Sequence, residues 1–278
     1  MYFILDALNS LLLKFNFQIR NSSKNILGYY IQKYDSVDFL ESKNGIYEIP
    51  IEKCVSQHYF SYNVGGWHYY KAVVEEYAQN IDLVYLDSVL YQFYKKLTPQ
   101  NLMQSLFDDK EIDSYGPLKA LPPVAVRNFW NLAGTVDQIN NYLLSEESQL
   151  FGPISNIYGS EQFRRCIRAY ELIKKHGYVP EKFHDGYISG FFIQKGEDYR
   201  FCVIAGKHRI ASLSAFGQKK ILVKTLDDLK VISYDNIENI PIVRSGLIDA
   251  KLAMKLVERY FSENGSGRAA ALGLIKER

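Results

Sequence analysis

The sequence predicts an α+β fold. A mainly helical N-terminal region, residues 1–148, precedes a small mixed sheet with helices, residues 149–230, and a C-terminal extension, residues 231–278. Three observations lead to this reading. Residues 69–107 place apolar side chains at helical spacing. Residues 187–204 read as two aromatic and β-branched strands joined by Lys195-Gly196-Glu197-Asp198, a hairpin in pattern. Residues 199–224 then run strand, tight turn, helix and strand in immediate succession.

In chain order, residues 1–20 carry Ile4, Leu8, Leu11, Leu12 and Phe15 on one helical face, the pattern of a helix packed on the body of the protein. Residues 21–46 are rich in turn signals, and a short strand is expected over 46–51. The segment 58–70 sets Gly65-Gly66 among aromatics and two histidines. It is expected to form a close-approach turn with exposed stacking side chains, which makes Trp67 and His68 candidates for a substrate pocket. His58 and His68 lack nearby carboxylates and make a poor metal site. Helices are expected over 69–79 and 81–97, with Thr98-Pro99 starting a third that ends near Phe107. Residues 108–122 have the acids, Gly116 and prolines of an exposed connection, and a weak helix over 135–144 leads to a boundary near 145–150.

In the second half, Tyr158-Gly159-Ser160 reads as a turn with Ser160 capping a helix over 161–176. Phe163, Cys166, Ile167, Tyr170 and Ile173 form its apolar stripe, Arg164, Arg165, Arg168, Glu171 and Lys175 its polar face, and Gly177 its stop. After the hairpin, Ala205-Gly206 turns the chain into a short helix opened by Lys207-His208-Arg209 and closed at Gly217. A strand follows over 221–224, with short strands at 231–233 and 241–243, a helix over 247–261 and a frayed end.

Composition narrows the function classes. The 278 residues are ample for a core, and 47% hydrophobic content is ordinary for a globular chain. A net charge of +2 argues against a dominant basic nucleic-acid surface. The 22 tyrosines serve as amphipathic core filler or as a surface for stacking rings. Cys54, Cys166 and Cys202 are scattered, with no CxxC spacing, so structural zinc is not expected and a reducing cytoplasm is. No apolar run reaches the ~18 residues of a membrane span, and Asp6 and Lys14 interrupt the first hydrophobic stretch, so no secretory signal is expected.

The turn at 205–209 carries the chemistry. Lys207, His208 and Arg209 sit where a helix presents unpaired N–H groups, a position that favours anions and phosphate above all. Neither a Walker loop nor a GxSxG elbow occurs. The segment AGKHRIASL resembles the GCHR segment of sulfiredoxins and the GHHR-type segment of ParB-like proteins and of the free-serine kinases built on that fold. Over roughly residues 150–225 the order of elements resembles that superfamily as well. The resemblance implies a nucleotide site with ATP, ADP or CTP and Mg²⁺ as cofactors. Gly206, His208 and Arg209 would hold phosphate oxygens, with Arg164, Arg165 and Arg168 contributing from the preceding helix. Glu161 falls near the acidic base of the serine-kinase branch, where a carboxylate in a first helical turn would also complement the dipole. Lys207 stands where sulfiredoxins place their reactive cysteine; the redox reaction is then not available, and Lys207 would instead neutralise a transferring phosphoryl group.

The leading expectation is therefore a nucleotide-dependent phosphotransferase acting on a small hydroxylated acceptor, such as a sugar or a surface-polysaccharide precursor. GGWH and YGSEQFRR resemble segments of ParB-like proteins found among surface-polysaccharide biosynthesis proteins. Two alternatives stand beside it. One is a ParB-like partition or regulatory protein that binds DNA, against which stand the modest charge and the lack of a helix-turn-helix after the motif. The other is a nucleotide sensor without turnover.

Overall fold

The computed structural model describes residues 40, 45–107, 116–123, 129–133, 136–137, 139, 150–182, 186–226 and 229–276, with the backbone of 17–19 and 31–33. Strand β1 (Phe17–Ile19) pairs antiparallel with β2 (Ile31–Lys33) as a separate ribbon. The main sheet begins with β3 (Ile46–Pro50) and β4 (Cys54–Val55). Helices α1 (Tyr69–Gln79), α2 (Val89–Lys96) and α3 (Leu102–Leu106) follow, and then the long α4 (Asn156–His176). The hairpin β5 (Ile188–Lys195) and β6 (Asp198–Ala205) leads into α5 (Lys207–Ala215) and β7 (Lys220–Thr225). Strand β8 (Val231–Ser233) and helices α6 (Pro241–Arg244), α7 (Ala250–Ser262) and α8 (Ser266–Ala271) complete the chain.

The main sheet is mixed, in the order β3-β7-β5-β6-β4, and β8 also pairs with β5. Strand β5 is its centre. One edge pairs antiparallel with β6; the other takes β7 along its first half and β8 along its second, both parallel. The period of two along the hairpin decides the layering. Tyr199, Phe201 and Val203 of β6, with Ile188 and Phe192 of β5, enter a core built with α1, α2, α4 and α5. Cys202 and Ile204, with Phe191 and Ile193, enter a second core built with α3, α6 and α7. Both faces are covered, which is why these strands read as near-continuous apolar runs rather than as alternating ones.

Several expectations change. Phe17–Ile19 is a strand, so a helix does not run to residue 20; the rest of that expected helix lies outside the described residues. The helix expected over 81–97 is two pieces, a 3₁₀ turn Tyr85–Asp87 and α2, because Ser88 breaks the chain there and caps α2 by accepting from the Tyr91 N–H at 3.3 Å. Thr98-Pro99 is not the next cap; Asn101 is, accepting from the Gln104 N–H at 2.9 Å. Leu118 and Leu121, read as part of an exposed connection, are buried. Residues 241–243 begin a short helix with Pro241 in its first turn. The C-terminal end does not fray: α8 docks, Ala269 is buried, and Arg268 donates to the Ser105 and Gln104 carbonyls. Strands β3 and β4, which precede the boundary expected near 145–150, join the same sheet as β5–β7.

The most consequential correction concerns α4. It starts at Asn156, capped by the Ser155 hydroxyl accepting from Tyr158 N–H at 3.2 Å, and runs through Gly159 and Ser160. Gly159 is a packing residue rather than a turn residue: a Cβ there would sit 1.9 Å from the Tyr85 hydroxyl oxygen. Glu161 therefore lies beyond the first helical turn. Among the described residues, no helix is long and apolar enough to cross a membrane.

Candidate functional site

The strand β6 ends at Ala205, and Gly206 turns the chain with φ 83° and ψ 20° before α5 starts. That left-handed conformation suits glycine, and a Cβ would also press on Ile188 at 3.0 Å. No side chain caps α5, whose positive dipole end lies at Gly206 and Lys207. Helix α4 packs directly on α5. Gln162, Cys166 and Tyr170 face inward, so Glu161, Arg164, Arg165, Arg168, Leu172 and His176 are turned outward along the other face.

Between that face and the start of α5 lies a cleft of about 900 Å³. Six of the residues singled out for binding line it: Arg164, Arg165, Arg168, Gly206, His208 and Arg209, and Glu161 lies there too. The sequence brings them together through two local rules, the i, i+4 stripe of α4 and the strand–glycine–helix turn. The cleft is cationic through its arginines and Lys182, His176 is also on its wall, and Glu161 is the one carboxylate among its described residues.

The electrostatics differ residue by residue. Glu161 accepts from Arg164 through both oxygens, Nε to Oε2 at 2.9 Å and Nη2 to Oε1 at 2.8 Å. The hydrogen bonds from Arg164, with the charges of Arg164 and Arg165, hold its carboxyl below the ordinary glutamate value. That makes Glu161, as it stands, a weak base at neutral pH. Burial, reinforced by Arg165, Lys207 and Arg209, pushes His208 down to about 3, so the imidazole is neutral and acts through hydrogen bonding rather than charge. Its ring packs on Tyr70 at 4.4 Å, and its Nε2 is buried with no hydrogen-bond partner. Arg209 reaches across to the entry of β5, donating to the carbonyls of Gly186 and of Tyr187, the latter at 3.4 Å. Part of the guanidinium fork thus braces the floor of the cleft.

Three expected site residues lie elsewhere. Lys207 is not on the cleft wall; its charge depresses the pKa values of His58 and His68, which places it toward the buried 58–68 segment. Trp67 and His68 are not exposed stacking groups. His68 is fully buried between Tyr62 and Tyr69, ring centroids 4.2 and 4.3 Å away, and its Nδ1 accepts from the Tyr70 N–H to cap α1. Trp67 packs on Phe60 and donates its backbone N–H to the Asn264 carbonyl at 2.8 Å. The aromatic loop is a core element that ties α1 to the C-terminal helices, because its rings bury more favourably against each other than they stack in water.

The sequence reading missed the far end of the cleft: Ala169, Leu172, Ile173, Tyr178, Val179 and Pro180. The signal was present in the continuation of the α4 stripe to Leu172 and in the stop at Gly177, which turns the chain back along the helix with φ 73°. Among the described residues no group of three or more His, Cys, Asp or Glu is placed to hold a metal ion. A divalent ion at this cleft would be held chiefly by phosphate oxygens of a bound ligand, since the one carboxylate among the described lining residues, Glu161, is paired with Arg164.

The fold and cleft define a class by architecture: a mixed α/β protein with an arginine-lined cleft at a strand–glycine–helix junction. Comparison of the chain with protein-family models, curated proteins and solved structures gave no match in any of the three.

Proposed function

We propose that this chain is a nucleotide-dependent phosphotransferase of the ParB/sulfiredoxin-like type, taking ATP, ADP or CTP with Mg²⁺ and a small hydroxylated acceptor. The observation that carries the reading is the convergence of Arg164, Arg165, Arg168, His208 and the start of α5 on one cleft. Guanidinium forks match phosphate oxygens in pairs, and the positive end of the α5 dipole favours the same anion. The volume of about 900 Å³ suits a nucleotide-sized ligand. In transfer, the terminal P–O bond of the nucleotide breaks and a new P–O bond forms to the acceptor oxygen. The arginines of α4 neutralise the charge on the moving group. Glu161 takes the acceptor proton once a phosphate has drawn Arg164 away from it.

A second reading, a nucleotide sensor without turnover, is favoured by the Glu161–Arg164 ion pair, which leaves the cleft without an unengaged carboxylate base among its described residues. One experiment separates the two. The protein is incubated with Mg²⁺ and each nucleotide, and both binding and phosphate transfer to a panel of sugars and other alcohols are followed. Binding with transfer is expected, and binding lost in Arg165→Ala/Arg168→Ala locates it in this cleft. Binding with no transfer to any acceptor selects the sensor. No binding of any nucleotide overturns both.

A further inference from the structure

The cleft is built in two halves, and its second half turns apolar along α4, with His176 and Lys182 the polar side chains at that end among the described residues. Along α4 the outward stripe changes from Arg164, Arg165 and Arg168 to Ala169, Leu172 and Ile173. The chain then folds back at Gly177, and Tyr178, Val179 and Pro180 form a facing wall. Leu172 is 48% exposed, a large apolar side chain left open on an otherwise polar helix face. The hydroxyl of Tyr178 is committed to the sheet, accepting from Ile188 N–H at 3.0 Å and donating to the Leu222 carbonyl at 3.1 Å. What Tyr178 has left for the cleft is its ring. From Arg164 to Leu172 the helix rises about 12 Å, comparable to the reach of a nucleotide from its terminal phosphates to its base.

We infer that the apolar half, Ala169, Leu172, Ile173, Tyr178, Val179 and Pro180, is a subsite for the flat ring of a nucleobase that is held by contact more than by its edges. This rests on the nucleotide reading of the cationic half. No Asn, Gln, Asp, Ser or Thr is among the described lining residues; the one carboxylate, Glu161, lies at the arginine end, and His176 and Lys182 are the polar side chains near the apolar end. Apolar and aromatic walls hold any base by area, whereas strong discrimination between bases needs polar groups that are left unpaired by the wrong one. The subsite therefore favours nucleotides over bare polyphosphate and treats different bases nearly alike.

Isothermal titration of the full chain with tripolyphosphate, ATP, GTP and CTP tests this, beside geranyl diphosphate and ADP as a matched pair. ATP is expected to bind about tenfold more tightly than tripolyphosphate, through the added apolar contact. ATP and GTP are expected to agree within about fivefold, as contact without edge readout allows. Leu172→Gln keeps a good helix former at an exposed position and is expected to weaken ATP while leaving tripolyphosphate unchanged. Four results overturn the inference: ATP no tighter than tripolyphosphate, a preference between bases of about a hundredfold or more, a Leu172→Gln loss shared equally by ATP and tripolyphosphate, or geranyl diphosphate displacing ADP. Tripolyphosphate binding without any gain for ATP removes the base subsite alone. Absence of binding by tripolyphosphate and every nucleotide removes the underlying phosphate site as well.

Discussion

Glu161 and Arg164 close on each other through two hydrogen bonds, at 2.9 and 2.8 Å, on the wall of a cleft in which Glu161 is the one carboxylate among the described residues. The carboxylate occupies the geometry that a phosphate would take on the same guanidinium. Glu161→Gln removes the competing charge and is expected to tighten pyrophosphate and ATP binding several-fold, measured by titration at fixed ionic strength. The exposed pair adds little to folding, so thermal unfolding should be nearly unmoved. If phosphotransfer occurs, the same variant is expected to lose it while binding improves.

Arg209 braces the entry of β5 through the Gly186 and Tyr187 carbonyls. Arg209→Lys keeps the charge but loses the fork. It is expected to cost about 1.5–3 kcal/mol in urea unfolding, the usual size for hydrogen bonds to charged groups. A ligand affinity that falls beyond what unfolding explains would give Arg209 a second, direct role.

Gly206→Ala meets two penalties together. The backbone holds φ 83°, and the added Cβ would lie 3.0 Å from Ile188 Cγ1 and 3.1 Å from Arg209 Nη2. A loss of about 1–3 kcal/mol is expected from the strained conformation, read by chemical denaturation. Ligand affinity is expected to fall as well, since the start of α5 must shift.

His58, His68 and His208 all have pKa values depressed, burial being the first cause in each. The unfolded chain then binds protons that the folded chain refuses. The stabilisation is fully present above the unfolded value of about 6.5 and is lost as pH falls below it, at up to about 1.4 kcal/mol per pH unit for each histidine. For His208 the loss continues to its folded value of about 3. Urea unfolding at pH 7, 6 and 5 should show this slope. His68→Asn keeps an acceptor for the Tyr70 N–H at the start of α1, and is expected to reduce the slope by about one histidine's share. An unchanged slope would show that His68 titrates normally.

The local rules of the chain were legible where neighbours in sequence decide the outcome. The hairpin at 188–205, the turn at Gly206, the stop at Gly177 and the helix Tyr69–Gln79 all follow from residues a few positions apart. The start of α4 was misplaced because Gly159 looks like a turn until Tyr85, far away in sequence, is seen against it. Trp67 and His68 looked exposed for the same reason, since Tyr62, Phe60 and Asn264 close over them only in three dimensions.

By itself the sequence determined a strand–glycine–helix turn with a cationic start and a preceding helix striped with arginines, because both are patterns of short period. Tertiary structure decided what those patterns face. Packing α4 on α5 turned two separate basic segments into one cleft. It set Tyr178, Val179 and Pro180 as a wall facing Leu172 at the apolar end. The reason is physical: a side chain's spacing along an element sets the face it occupies, but only the burial of the opposite face against a partner sets which surface the remaining one meets.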